Sequence, residues 1–243
     1  MGGYRVTVPT DLRLIRHGES VANTQPIIAG MRADVGLTDL GRQQARLLEE
    51  RLRTDDWAAD VLYASTLPRA IETAAYVSRG LGLPVEPDDE VQELRPGVAD
   101  GLSIAEWRRR YPGLEQGPSN RPHQRFSPEG ESWAEFVVRV GAALTRILER
   151  HPDESVVVVT HGGVIEASFH LALSLGASTP QAGFAPANTS ITHWRHDPTG
   201  PGGSPWSLIT FNDAHHLVGR TTGAPPQDAV PTAGDDTVSG PDS

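Results

Sequence analysis

Short apolar runs alternate with amphipathic stretches along most of this chain. The runs Leu12–Ile15, Val61–Ala64 and Val156–Thr160 have the length and branched content of strands buried on both faces. Elsewhere apolar positions recur every three or four residues, as they do on helices with one buried face. These stretches are Asp39–Arg53, Pro68–Leu81, Ile104–Arg110, Ser132–Arg150 and Val164–Leu175. Two later strands are expected near Thr189–Trp194 and Trp206–Phe211. This order predicts an α/β fold, a three-layer α/β/α sandwich around a mainly parallel central sheet. In such a fold ligands sit at the carboxyl ends of the strands.

The 243 residues suit one domain, expected to span 1–220. The segment Arg95–Gly130 is rich in Pro, Gly and Arg and interrupts the alternation, so it reads as an insertion beside the active-site crevice. The stretch 221–243 has almost nothing to bury and is expected to be disordered. No internal repeat is visible.

Composition narrows the chemistry. A net charge of −10 argues against nucleic-acid and anionic-membrane partners, which select basic surfaces. A local cluster of arginines can still hold a small anion. All 21 basic residues are arginine, which excludes lysine catalysis, and the absence of cysteine excludes thiolate nucleophiles and cysteine-based metal sites. The opening residues lack the apolar core of a signal peptide and no stretch reaches membrane-spanning length, so a cytoplasmic protein is expected.

Two stretches share one plan, an apolar strand followed by His-Gly: "LIRHGES" at 14–20 and "VVVVTHGGVIE" at 156–166. Their histidines, His17 and His161, would face each other across one crevice if the strands are parallel neighbours. In "STLPRAIETA" at 65–74 an arginine opens a helix after a strand. Arg16 and Arg69 would then offer planar, two-pronged donors that suit a phosphate's oxygens.

The "RHGES" signature, "LTDLGRQQA" at 37–45, "STLPRAIETA", "ELRPGVADGL" at 93–102, "GESWAEFVVRV" at 130–140 and "VVVVTHGG" together resemble the histidine phosphatase superfamily, in its phosphoglycerate mutase-like branch. The resemblance runs from Leu12 to Leu217. It implies that His17 is the nucleophile accepting a phosphoryl group. Arg16, Arg69, His161 and Gly162 would bind the phosphate, and Asn23 would add a side-chain hydrogen bond. Glu93 would be the general acid that protonates the leaving oxygen and then activates water. No metal or other cofactor is implied. Ala99 and Asp100 stand where an aromatic and a glutamate are common in the family, which bears on the wall of the substrate pocket.

Other features have plainer readings. Thr38 reads as the N-cap of the following helix. Arg108–Arg110, with Arg121, His123 and Arg125, reads as a solvated basic face. His193, His196, His215 and His216 lack the ordered set of ligands that zinc needs. "GESWA" imitates the nucleophile elbow of a serine hydrolase, but no strand precedes it and "HGG" follows the serine instead of preceding it. The expected activity is hydrolysis of a small phosphomonoester through phosphohistidine. The alternative is a cofactor-dependent, phosphoglycerate mutase-type phosphotransferase, which usually carries a Trp-Asn pair after "RHGES" where this chain has "VAN".

Overall fold

The computed structural model describes residues 9–55, 58–112, 121–176, 183–200 and 204–219. The segment 221–243, expected to be disordered, lies outside the described residues. Six strands form one sheet: β1 (Thr10–Arg16), β2 (Val61–Ser65), β3 (Val85–Asp88), β4 (Ser155–Thr160), β5 (Ile191–His196) and β6 (Trp206–Asp213), in the order β3-β2-β4-β1-β5-β6. The pairs β3·β2, β2·β4 and β4·β1 are parallel, whereas β5 and β6 join antiparallel at one edge. The helices are α1 (Val21–Thr24), α2 (Asp39–Thr54), α3 (Pro68–Leu81), α4 (Ile104–Arg110), α5 (Trp133–Arg150) and α6 (Gly162–Leu173).

Strand alternation builds two cores. Leu12, Leu14, Val156 and Val158 pack with α5 and α6 on one face. Ile15, Val157 and Val159 pack with α2 and α3 on the other. The expected three-layer sandwich is therefore the one observed.

Local chemistry sets the helix ends. Pro68, whose missing N–H costs nothing in a first turn, opens α3 after Leu67, and Gly82 closes it in the left-handed region at φ 71°. Ser132 and Glu135 form a reciprocal capping box at α5, so the helix proper begins one residue after the expected start. Thr38 Oγ1 accepts the Gly41 amide at 3.0 Å, the cap expected from sequence.

The larger departures from the pattern are two element boundaries and one unpredicted strand. Helix α6 runs Gly162–Leu173 rather than Val164–Leu175, because the helical backbone begins directly after His161 and ends where Ser174 turns left-handed. Strand β5 begins at Ile191 rather than Thr189, because Thr189 has φ 61°, a conformation no strand accommodates. The unpredicted β3 is a four-residue edge strand carrying Pro87, which is tolerated where no neighbour needs its N–H.

Candidate active site

The parallel register places the chemistry. Arg16 pairs with Thr160 at the carboxyl ends of β1 and β4, and the His17 amide donates to the Thr160 carbonyl at 2.9 Å. The next residues, His17 and His161, therefore lie side by side, with ring centroids 5.1 Å apart. On the far side of β4, β2 ends at Ser65, whose Oγ lies 2.7 Å from His161 Nε2. Three strand ends thus meet in one buried cup, where His17, His161, Arg16 and Arg69 are all buried.

The hydrogen bonds assign the His17 tautomer. Nδ1 lies 2.7 Å from the Gly18 carbonyl, which only accepts, so Nδ1 carries the proton. Nε2 then holds a lone pair, and Arg69 Nε donates to it at 3.1 Å. Burial first, then the charges of Arg69 and Arg16, hold the His17 pKa well below the usual histidine value. His161 is depressed in the same way, by burial and then by Arg69, His17, Arg16 and Arg139. Both rings are neutral at pH 7. His161 Nδ1 is buried without a hydrogen-bond partner among the described residues.

The guanidiniums are held from behind. Arg69 sits in the first turn of α3, where its own amide (3.2 Å) and its Nη1 (2.8 Å) both reach Asp34 Oδ2. Nη1 also donates to the Ala29 carbonyl at 3.2 Å. The Asp34 side chain is fully buried, so this ion pair fixes the plane of the fork. Arg16 Nη1 donates to the Pro186 carbonyl at 2.6 Å.

The His17 loop is clamped on both sides. Thr73 Oγ1 of α3 accepts the Gly18 amide at 3.0 Å. A Cβ on Gly41 would collide with the Glu19 backbone, which explains the glycine in "LTDLG". Asn188 Nδ2 donates to the His17 carbonyl at 3.0 Å, and the Thr189 amide donates to the Arg16 carbonyl at 2.9 Å and the His17 carbonyl at 3.3 Å. A left-handed threonine costs about 1–3 kcal/mol, and here the conformation aims an N–H at the loop. Burial and the Arg51 charge bring His216 down to about 4, so a neutral ring meets Thr189 Oγ1 at 2.9 Å.

Glu93 reaches the cup from the segment after β3. Its Oε2 accepts the Gly163 amide at 3.0 Å and its Oε1 accepts its neighbour's amide, Leu94 N, at 2.9 Å. A Cβ on Gly163 would collide with Glu93 Oε1, so the second glycine of "HGG" makes room for this carboxylate. Arg139 of α5, paired with Glu131 at 2.7 Å, donates to the carbonyls of Glu90, Gln92 and Glu93 and steers the segment. Thr160 Oγ1 donates to the Val91 carbonyl at 2.8 Å and ties it to β4. A cavity of about 220 Å³ adjoins Glu93, between Gly30, Met31 and Leu67 on one side and residues 94–97 with Glu129 on the other.

The remaining expected residues fall as follows. Asn23 lies in α1, after the His17 loop, and its Oδ1 accepts the Ser20 amide at 2.9 Å. Gly162 opens α6 beside Arg16. Asp100 accepts amides from Gly30, Arg32 and Ala33, so it organises the cavity wall. Arg109 and Arg110 are exposed and lie against Glu106, the solvated reading. Sequence reasoning missed Asp34, Ser65, Arg139, Asn188 and Thr189.

A profile of the histidine phosphatase superfamily, branch 1, matches residues 12–208. The chain belongs to this superfamily. It is 34% identical to phosphoglycerate mutase-like protein 4 of Arabidopsis thaliana over 209 residues, 85% of this chain and 86% of the relative. It is 31% identical over 167 residues to phosphoserine phosphatase 1 of Hydrogenobacter thermophilus, 69% of this chain and 78% of the relative. Among solved structures, Bacillus stearothermophilus YhfR superposes with a TM-score of 0.69 at 30% identity, covering 86% of this chain and 99% of that one. Mycobacterial glucosyl-3-phosphoglycerate phosphatase superposes with a TM-score of 0.67 at 26% identity, covering 84% and 99%. The protein is a histidine phosphatase-type enzyme on the phosphoglycerate mutase-like fold. Among the described residues, no helix is long and apolar enough to cross a membrane.

Proposed function

We propose that this phosphatase hydrolyses a small phosphomonoester through a phosphohistidine on His17, without a metal. The observation that carries the reading is the buried, neutral His17 whose Nε2 lone pair is held against the Arg69 guanidinium. Nε2 attacks phosphorus in line as the bond to the leaving oxygen breaks. The ring gains positive charge in this step, and Nδ1–H is already committed to the Gly18 carbonyl, so nothing reorganises.

Arg16, Arg69 and His161 face the transferring oxygens. If Ser65 donates to His161 Nε2, the ring proton sits on Nδ1, a buried donor that a phosphate oxygen would satisfy. Gly162 adds its own amide at the start of α6, which has no intrahelical acceptor, while the Gly163 amide stays with Glu93. Asn23 adds its amide. Fixed donors then supply the charge neutralisation that other phosphoryl-transfer enzymes take from metal ions.

Glu93 gives its proton to the leaving oxygen and then takes one from the water that attacks phosphohistidine. Relatives named for their substrates include phosphatases of phosphoserine, fructose-2,6-bisphosphate and glucosyl-3-phosphoglycerate, which supports a small phosphorylated metabolite. The test is leaving-group dependence. In Glu93→Gln, phosphoryl transfer from an alkyl phosphate should fall about 10²-fold or more. Transfer from p-nitrophenyl phosphate, whose phenolate leaves unaided, should fall far less. An equal loss with both substrates overturns the acid role.

A further inference from the structure

Glu166, the last residue of "HGGVIE", takes no part in the transfer between His17 and Glu93. Glu166 lies on α6 three residues beyond Gly163, which puts the two on one side of the helix, about a turn apart. Gly163 is the residue whose amide binds Glu93, so the side of α6 that meets Glu93 also presents Glu166. The Glu166 carboxyl is half-buried and, among the described residues, has neither a hydrogen-bond donor nor a cation as partner.

The charges around it are few. From the segment after β3 it faces Glu93 itself. From α5, Arg139 is paired with Glu131 and occupied by three carbonyls. From β1, Arg16 Nη1 donates to the Pro186 carbonyl. Burial, reinforced by the Glu93 charge, pushes the Glu166 pKa up to about 7. Glu93, which accepts two amides, therefore shares this side of α6 with a carboxyl group whose burial favours its protonated form.

Resting on the reading of Glu93 as the general acid, we propose that Glu93 and Glu166 share one proton and that Glu166 stores it in the free enzyme. The proton balance is simple. When the dianionic substrate enters, the proton passes from Glu166 to Glu93. As the His17 Nε2–phosphorus bond forms and the bond to the leaving oxygen breaks, Glu93 releases it to that oxygen. When water attacks and the phosphorus–nitrogen bond breaks, Glu93 takes a proton from the water, and once phosphate leaves, that proton returns to Glu166. Glu166 is thus a positioning residue that acts through Glu93, and the pair titrates as a unit.

Two measurements test this. The first is a carboxyl carbon-13 titration of the free enzyme. Glu166 should titrate near neutrality in the wild type and at least one pH unit lower in Glu93→Gln. An unchanged Glu166 titration in Glu93→Gln overturns the pairing, because burial alone would then explain it. The second is rapid-quench phosphoenzyme formation between pH 5 and 9, with glycerol phosphate and with p-nitrophenyl phosphate. In Glu166→Gln the alkaline limb for glycerol phosphate should move at least one pH unit toward acid, which is about a tenfold loss at pH values above both limbs.

The p-nitrophenyl phosphate profile should stay in place, and Glu166→Asp should restore part of the limb. Superimposable wild-type and Glu166→Gln profiles, or equal shifts with both substrates, overturn the proposal. If Glu93→Gln leaves the glycerol phosphate rate intact, the acid reading of Glu93 falls instead. The titration in Glu93→Gln then still decides the pairing by itself.

Discussion

The two sides of this crevice are built on different plans. On the proposed phosphate side, His17, His161 and Arg16 are fixed by the ends of two central parallel strands, and Arg69 by the first turn of α3 and a buried carboxylate. On the proposed leaving-group side, Glu93 belongs to an irregular segment after the edge strand β3, held by Arg139, Thr160 and a helix amide. Side chains set on strand ends are held more precisely than side chains on loops, which suits chemistry common to every phosphomonoester. A segment tied down by side chains from several elements can change with the leaving group while the phosphate side stays intact.

The largest effect that would separate the two sides is expected at the nucleophile. His17→Ala should lower kcat/KM on the order of 10³-fold or more with every leaving group, while circular dichroism and melting behaviour stay close to wild type. Next comes the support of Arg69. Asp34→Ala leaves a buried guanidinium without its counter-charge and should cost about 3 kcal/mol of stability in chemical denaturation, the low end for a broken buried pair. It should also slow both alkyl and aryl phosphates, since Arg69 is proposed to hold the phosphate.

On the opposite side, Gly163→Ala forces a methyl group against the Glu93 carboxylate. A displacement of about 1 Å at a catalytic group can cost about 10²-fold, so steady-state turnover of alkyl phosphates should fall by that order. The loss with p-nitrophenyl phosphate should be several-fold smaller. Equal losses would erase the distinction between the two sides.

The smallest expected effect is on stability against pH. The folded-state pKa of Glu166, about 7, lies above its value in an unfolded chain, so the free energy favouring the folded state is fully present below the unfolded pKa and is lost as pH rises through about 7. Glu166→Gln does not ionise. Its melting temperature should therefore gain on the wild type between about pH 4.5 and 8, a trend that differential scanning fluorimetry would follow.

The same contrast explains what could be read from the sequence. His17, His161, Arg16 and Arg69 follow apolar strands or open a helix, so local pattern announces them, and the parallel register brings them together. The start and end of α3 were legible because Pro68 and the left-handed Gly82 are written at its two boundaries. Asp34, Ser65 and Arg139 sit in no local pattern, and each matters only through a partner far along the chain. Thr189 reads as the start of a strand, because a β-branched residue beside an apolar run reads as extended, and Asn188 before it lies in no pattern. The left-handed turn that aims their donors at the His17 loop is imposed by tertiary contacts. The sequence starts α6 at Val164 because glycines are poor helix formers, yet Gly163 is there to admit Glu93.

The central claim is a phosphoryl group carried by His17 Nε2, and trapping it is the most direct test. Enzyme carrying Glu93→Gln, in which water attack should be slow, would be mixed with radiolabelled p-nitrophenyl phosphate, quenched in alkali and cleaved with trypsin. Because all basic residues are arginine, cleavage after Arg16 and Arg32 releases a peptide with His17 as its single histidine, while His161 falls in the separate peptide from His151 to Arg195. The account predicts alkali-stable, acid-labile label on the His17 peptide, formed as fast as the first burst of nitrophenolate. Label on the His161 peptide, or a burst of nitrophenolate with no labelled protein, would contradict it.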